Sequence, residues 1–102
     1  MNAATSPTES IYSRALFALA GHSKTGLRLR QVAEAVGESD STTLRNLQRM
    51  EVDGLVEQNP LAQGHWRLAP RVVQIAIAHS NEVAREERAL SDFKNRYSRT
   101  SD

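Results

Sequence analysis

The sequence contains no cysteine in its 102 residues. This absence excludes a disulfide framework and a metal site built on thiolates. No apolar run approaches the roughly 20 residues that a membrane-spanning helix needs. Residues 1–10 also lack the basic start and the apolar block of a signal peptide. We therefore expect a soluble, cytoplasmic protein with no membrane partner.

Catalytic and cofactor motifs are also missing. The three histidines, His22, His65 and His79, lie far apart and form no HExxH motif, which argues against a zinc site. The five glycines make no GxGxxG phosphate loop, and no serine lies in a GxSxG motif. We accordingly expect no enzyme activity, no catalytic residues, no metal, no cofactor and no evident small-molecule effector.

Positive charge is not in excess either. Thirteen Lys and Arg residues face twelve Asp and Glu residues, which leaves a formal net charge of +1. Such a total does not by itself indicate a polyanionic partner. Residues 27–53 carry four basic and five acidic residues, so no basic block is hidden within the total. Nucleic-acid binding must therefore be argued from where individual side chains lie.

Apolar residues recur at helical spacing in four stretches, and capping or stop residues bound these stretches. Gly37 and Gly54 are suited to left-handed stops, and Pro70 suits the first position of a helix. Short alternating stretches indicate strands. In chain order the predicted elements are a helix from Thr8 or Ser10 to just before Gly21, an edge strand at Leu27–Leu29, a helix at Gln31–Val36, a helix from Ser39 or Asp40 to about Asp53, strands at Leu55–Glu57 and His65–Leu68, and a helix from Pro70 to about Arg99.

This order is typical of a winged helix-turn-helix fold. Only a few residues around Gly37 join the second and third helices, so the two helices must cross steeply. The hairpin after the third helix forms the wing. We expect a mainly α fold with a small β-wing, followed by a long C-terminal helix. The predicted organisation is a flexible arm at residues 1–10, a winged helix-turn-helix domain at 11–70, and a C-terminal helix, serving dimerisation, at 71–102.

Four stretches of the sequence carry a resemblance to a known family. LRQVAEAVG at residues 29–37 looks like the second helix of IclR-type winged-helix regulators, and STTLRNLQRM at 41–50 resembles their recognition helix. GLVE at 54–57 is similar to the segment that follows the recognition helix in that family, and WRLAPR at 66–71 is similar to its wing.

The resemblance to IclR-type regulators implies a function and a setting. It implies a sequence-specific, dimeric DNA-binding regulator of transcription, in a prokaryotic cytoplasm and at the nucleoid. IclR-type regulators carry a large effector-binding domain after the wing, and residues 71–102 are too short to contain one. We therefore expect the chain to lack that domain.

Side chains of the third helix are suited to reading DNA. Arg can bond guanine and Asn can bond adenine through paired hydrogen bonds, while Ser and Thr suit base edges or phosphates. Backbone N–H groups at a helix start also attract phosphate. The residues expected to read bases in the major groove are Ser41, Thr42, Arg45, Asn46 and Arg49. Those expected at the DNA backbone or on the wing are Arg28, Arg30, Gln31, Ser39, His65 and Arg67.

The last helix has a pattern of its own. Its apolar positions alternate spacings of four and three, as in a coiled-coil seam, with His79 and Glu86 as polar interruptions. Because its distal part has little in its own domain to cover it, we expect a homodimer; the alternative is a frayed amphipathic tail. The residues expected at the dimer contact are Val83, Leu90, Phe93 and Tyr97.

Two functions stay open at this point. The first is sequence-specific binding of double-stranded DNA and transcriptional regulation, with a recognition helix in the major groove and a wing beside it. The alternative is a winged-helix module for protein–protein interaction with little or no DNA binding. Glu38, Asp40 and the near-neutral charge favour the alternative. The two differ in the salt dependence of binding to random duplex DNA, which is steep where several phosphates are contacted.

Overall fold

A computed structural model describes residues 9–98 of the chain. Most of the arm expected at residues 1–10, namely residues 1–8, lies outside the described part. Within it the chain forms two units, residues 9–72 and residues 73–98. The elements in chain order are α1 (Ile11–Leu19), β1 (Leu27–Arg28), α2 (Leu29–Val36), α3 (Asp40–Val52), β2 (Val56–Gln58), β3 (His65–Leu68) and α4 (Pro70–Ser98).

The helices begin at the capping residues that the sequence offers. Ser10 Oγ accepts a hydrogen bond from the backbone N–H of Ser13 (3.2 Å) at the start of α1. Ser39 Oγ accepts one from Thr42 N–H (3.1 Å) at the start of α3. Each bond satisfies a backbone donor that has no partner within the helix, which stabilises the helix by about 1 kcal/mol. Pro70 opens α4 at the first helical position, as predicted.

The ends of α2 and α3 depend on glycine. Gly37 follows α2 in the left-handed conformation, with φ 75° and ψ 33°. After α3, Gly54 N–H donates to Glu51 O (3.0 Å) and Leu55 N–H donates to Met50 O (2.8 Å). This pair of bonds is the Schellman arrangement, which needs a left-handed residue just past the helix. Both stops expected from the sequence are therefore confirmed.

Helix α2 begins earlier than the sequence predicted. The structure starts it at Leu29, whereas periodicity placed its first residue at Gln31. The reason is a local hydrogen bond: Arg28 N–H donates to Gln31 Oε1 (2.8 Å), so the glutamine side chain caps the helix from its third position. The predicted edge strand shortens accordingly to Leu27–Arg28.

Strand β2 is shifted by one residue from its prediction. It spans Val56–Gln58, one position later than the expected Leu55–Glu57. Leu55 N–H already belongs to the end of α3 through its bond to Met50 O. The strand can therefore begin only after Leu55.

A three-stranded antiparallel sheet lies beside the helices. Strand β3, which has the predicted bounds, is central, with β1 on one side and β2 on the other. Trp66 of β3 lies opposite Leu27, and Arg67 lies opposite Glu57. The β2–β3 hairpin is the wing, and β1 completes the sheet on its far side. The first unit is therefore a winged helix-turn-helix, mainly α with a small β-wing.

One hydrophobic core joins the three short helices to the sheet. The tryptophan on β3 is only 4% exposed and packs into this core, so it is not a wing-surface residue. Its burial fixes the sheet against the helices, because a large aromatic side chain contributes much of the apolar area that a small domain can bury. The buried core residues are Ala15, Leu19, Val32, Val36, Leu47, Met50, Val56 and Trp66.

Helix α4 continues as the second unit. Within residues 73–98 it has no buried residue, and it carries several large apolar side chains that are more than two fifths exposed. The rings of Phe93 and Tyr97, one turn apart, lie with centroids 4.7 Å apart. No helix in the described part of the chain is both long and apolar enough to cross a membrane.

Gly26 lies directly against the backbone of β3. It has φ +92°, and a Cβ built on it would lie 2.2 Å from the carbonyl oxygen of Trp66. Contacts this short do not occur between real atoms, so a side chain here would push β1 away from β3. Glycine at this position is therefore a requirement of the sheet.

We expect Gly26→Ala to destabilise the protein by at least about 2 kcal/mol more than Gly21→Ala does, as measured by urea unfolding. Gly21 has a similar φ of +87°, but no atom lies within 4 Å of the position that a Cβ would take, so it carries the cost of positive φ alone. The difference between the two variants isolates the clash with the strand. Equal losses of unfolding free energy would contradict this close packing.

Candidate nucleic-acid interface

The connection between α2 and α3 is only three residues long. Gly37 turns the chain, Glu38 follows, and Ser39 caps α3. Val36 and Leu47, one from each helix, are almost completely buried in the core. The short turn and this burial together hold the two helices as a helix-turn-helix. They also determine which side of α3 points outward.

The outward side of α3 is a row of exposed positions. Successive residues of an α-helix are rotated by about 100°, so residues four, seven and eleven positions after Ser41 lie on one line. These residues are Arg45, Gln48 and Val52, and all four members of the row are exposed. The row lies opposite the buried stripe of the same helix, which consists of Thr43, Leu47 and Met50. We call Ser41, Arg45, Gln48 and Val52 the outer row.

Gln48 belongs to the outer row although the sequence prediction omitted it. Its side chain is exposed and makes no hydrogen bond or ion pair within the described part of the chain. The signal was available in the spacing, because positions 41, 45 and 48 share a face on any α-helix. Glutamine carries one donor and one acceptor group, the pair that recognises adenine.

The two arginines expected to read bases are both exposed. Arg45 lies in the outer row, and its Nη2 is 3.4 Å from Thr42 Oγ1, a weak contact that leaves most of its donors available. Arg49 lies one turn further along and makes no polar side-chain contact within residues 9–98. The structure therefore places both guanidinium groups at the surface of α3 without strong partners.

Thr42 and Asn46 lie to one side of the outer row. Both are half-buried. Asn46 Nδ2 donates to the carbonyl oxygen of Thr42 (2.8 Å), one turn back in the same helix. One donor of the amide is therefore engaged with the backbone, which holds the side chain along the helix.

The acidic residues near the start of α3 each have a cationic partner. Arg14, on α1, places Nη2 3.4 Å from Glu38 Oε2 and also donates through Nη1 to the carbonyl oxygen of Val36. Arg30 places Nη1 3.3 Å from Asp40 Oδ2. The negative charge in this region is thus locally compensated.

Other residues expected at the DNA backbone lie at the start of α2 and at the start of α3. Arg28 is exposed at the start of α2, and Arg30 also contacts Glu34 (3.7 Å) in addition to its pair with Asp40. Gln31 is exposed with its Oε1 engaged in the cap of α2. Ser39 caps α3 and contacts the hydroxyl of Ser41 (3.3 Å).

Arg67 is held within the sheet of the wing. Its Nε donates to Glu57 Oε2 (2.7 Å) across β2 and β3. Its Nη1 donates to the carbonyl oxygen of Lys24 (3.0 Å), just before β1. Its side chain is 23% exposed. Arg67 therefore links β2 to the segment that precedes β1, a position that sequence reasoning could not assign because both partners are distant in the chain.

Asn59 is a second polar link in the wing, and no signal in the sequence singled it out. It is 6% exposed. Its Nδ2 donates to the carbonyl oxygens of Lys24 (3.3 Å) and Thr25 (3.0 Å), and its Oδ1 accepts from Leu61 N–H (2.9 Å). The amide thereby ties the hairpin loop to the segment that precedes β1. His65, at the loop end of the hairpin, contacts Gln63 O (3.2 Å) through Nδ1.

The four residues expected at a dimer contact lie on α4. Each is exposed, by 42% for Val83 and by more than half for Leu90, Phe93 and Tyr97. They follow one another at spacings of seven, three and four, which places them along one side of a single helix.

The comparisons with known proteins bear on the helix-turn-helix. The family model of the IclR helix-turn-helix domain matches residues 14–60, from within α1 to just past β2. No curated protein matches the chain. The matched span contains the turn at Gly37 and the whole of α3 with its outer row. Residues 14–60 thus match the IclR helix-turn-helix domain, and this match supports a DNA-binding kind of function in the regulation of transcription.

Proposed function

We propose that this protein is a regulator of transcription that binds a specific sequence in double-stranded DNA by placing α3 in the major groove. The observation that carries the proposal is the outer row of α3. It presents Arg45 and Gln48 on a helix whose opposite side is buried. A helix held in this way fits the major groove, where each base pair shows its own pattern of donors and acceptors.

Base reading falls to the long side chains of α3. Arg45 and Arg49 suit guanine, whose O6 and N7 both accept hydrogen bonds, and Gln48 suits adenine. Asn46 can reach a base only from the side of the helix, because its amide is also bonded to Thr42 O. We therefore expect the outer row to supply most of the discrimination between sequences.

Phosphate contacts would form around the start of α3. Ser39 and Ser41 place two hydroxyl groups there, beside backbone N–H groups at the positive end of the helix dipole. Thr42 lies next to them. Arg28 and Gln31 are exposed at the start of α2 and suit the same role. Such contacts position α3 on the duplex but carry no sequence information.

We assign the wing a supporting role at the DNA backbone. Arg67 keeps the hairpin in place through Glu57 and Lys24. This bonding makes Arg67 a residue that shapes the wing first and contacts phosphate second. His65 lies beside it, and the exposed loop at residues 60–64 forms the tip.

The rival function, a protein-interaction module, was favoured by Glu38 and Asp40. Each of these carboxylates has a guanidinium nitrogen within 3.4 Å, from Arg14 for Glu38 and from Arg30 for Asp40. The pairing lowers the repulsion that they would exert on a passing phosphate. This observation supports DNA over a protein partner.

We further propose that the protein acts as a homodimer and is located at the nucleoid of a prokaryotic cytoplasm. Dimeric helix-turn-helix proteins bind two half-sites about one helical turn of DNA apart. A second copy would also cover the exposed apolar side chains of α4, such as Leu90 and Phe93. No small-molecule effector enters this proposal.

The first test is a selection of bound sequences from a random duplex library, followed by Arg45→Ala. We expect this variant to bind the selected sequence about 10- to 100-fold more weakly and to tolerate base changes at one position, because a bidentate contact with guanine is lost. Fluorescence anisotropy with the selected duplex and its single-base variants measures both effects.

Arg88→Ala, an exposed arginine on α4, is the matched control and should leave the affinity unchanged. The proposal is wrong if Arg45→Ala and Arg88→Ala shift the affinity equally. It is also wrong if binding to random duplex DNA shows no fall with rising salt, since phosphate contacts release counterions. Either result would favour the protein-interaction module.

Gln48→Ala tests the residue of the outer row that the sequence prediction omitted. We expect about tenfold weaker binding to the selected sequence and an unchanged affinity for random DNA, because Gln48 would contact a base and no phosphate. Gln74→Ala, an exposed glutamine on α4, is the control. If Gln48→Ala weakens binding to both kinds of DNA alike, Gln48 does not read a base.

Leu90→Asp tests the homodimer. We expect the wild-type protein to sediment as a dimer at tens of micromolar and the variant as a monomer, because each variant dimer would place two carboxylates in an apolar contact. Ser91→Asp adds the same charge next to Leu90 but off the seam, and should stay dimeric. A Kd of tens of micromolar corresponds to a free energy of association of roughly −6 to −7 kcal/mol. A wild-type protein that is monomeric at this concentration would contradict the homodimer.

A further inference from the structure

The charges on α4 differ in their effect on a parallel and on an antiparallel pair of helices. In the heptad notation abcdefg, the seam positions a and d are occupied by His79, Val83, Glu86, Leu90, Phe93 and Tyr97. Positions e and g flank the seam and set partner orientation through their charges. The flanking residues are Ser80, Glu87 and Lys94 at e, and Glu82, Ala89 and Arg96 at g.

A parallel pairing in register would bring like charges together. Each seam residue would then face its own counterpart, so the two Glu86 carboxylates would meet inside the apolar contact. The g residue of one helix would also face the e residue of the next heptad on the other, which places Glu82 against Glu87 on both sides. The contacts of Glu86 with its counterpart and of Glu82 with Glu87 are repulsive, and the one at Glu86 would be largely removed from water.

An antiparallel pairing removes these conflicts. Aligning Val83 of one helix with Phe93 of the other places Leu90 opposite Glu86, and no seam residue faces its own counterpart. In this orientation g residues face g residues. Glu82 then lies opposite Arg96 of the second copy, and the symmetry of the pair repeats this contact of opposite charges.

We propose that α4 pairs with α4 of a second copy in antiparallel orientation, with Val83 of each helix against Phe93 of the other. This inference rests on the homodimer proposed above and adds its geometry. The stem of Glu86 packs beside Leu90, and its carboxylate reaches water at the edge of the seam. His79 lies opposite Tyr97, so both polar interruptions of the seam face a different residue type.

This alignment gives better contacts along α4 than the two alignments that are shifted by one heptad. Glu87 faces its own counterpart near the two-fold axis, a single exposed repulsion that is weaker than a buried one. Sliding the helices one heptad toward their C-termini would pair Glu87 with Lys94, but it would place the apolar Val83 at the level of the polar Thr100. Sliding the other way leaves Glu82 opposite Ala89, without any pair of opposite charges.

Charge reversal at Glu82 distinguishes the two orientations by sign. Glu82→Lys should weaken the antiparallel dimer about tenfold in Kd, because it replaces two attractions to Arg96 by two repulsions. In a parallel dimer the same change should strengthen association, because it turns the contact with Glu87 into an attraction. Sedimentation equilibrium at low salt measures both directions.

Two further variants complete the charge test. Arg96→Glu alone should also weaken the dimer, and the double variant Glu82→Lys with Arg96→Glu should return Kd to near its original value. Asp92→Lys makes the same change of charge away from the seam and should leave Kd within about twofold, with circular dichroism confirming the helix in each variant. Strengthening by Glu82→Lys, or no rescue in the double variant, would overturn the antiparallel pairing.

Cross-linking through introduced cysteines gives an independent readout of the orientation. The chain contains no cysteine of its own, so each variant reacts only at the introduced position. In the antiparallel alignment the two copies of residue 89 lie at the same level, whereas the two copies of residue 76 lie roughly 36 Å apart along the axis. A short bis-maleimide should therefore join Ala89→Cys chains and leave Ala76→Cys chains separate. Efficient joining at residue 76 would show a parallel pair. A monomeric wild-type protein would overturn both the orientation and the homodimer.

Discussion

The burial of α2 against α3 across a three-residue turn decides what this protein can present to a partner. Gly37 adopts a left-handed conformation that places Ser39 at the start of α3, and Leu47 then enters the same core as Val36. Once these side chains are buried, the opposite side of α3 must face water, because the helix has a fixed period. The outer row, and with it the proposed reading of DNA, follows from this packing.

Much of the first unit could be predicted because its signals are local. A serine before a helix and a glycine after it act within a few residues, so the sequence identifies Gly54 correctly and narrows the cap of α3 to Ser39 or Asp40, of which the structure shows Ser39. The predicted start of α2 is wrong because the side chain of Gln31 caps the helix from inside its first turn. Gln48 was overlooked although the spacing from Ser41 contains the information; an angular count along the helix would have found it.

The polar links of the wing could not be predicted. Arg67 and Asn59 both bond to the carbonyl oxygen of Lys24, more than thirty residues earlier in the chain. Such a contact depends on how β1 docks beside β3, and no local pattern encodes it. The pairing of Arg14 with Glu38 is of the same kind. A charged residue in the sequence indicates that a charge exists, but only the fold shows whether a neighbour has compensated it.

The near-neutral charge connects the proposed reading of DNA by α3 with the proposed pairing of α4. With a net charge of +1, each copy gains little from the general attraction between basic proteins and DNA. In the proposed complex, specific contacts through Arg45 and its neighbours would then supply most of the affinity, and a single half-site offers few of them. Two linked copies raise the effective concentration of the second domain once the first is bound. A weakly charged domain of this kind would therefore gain more from a partner copy than a strongly basic one would, which is the reason to connect the exposed apolar seam of α4 with the proposed recognition of DNA.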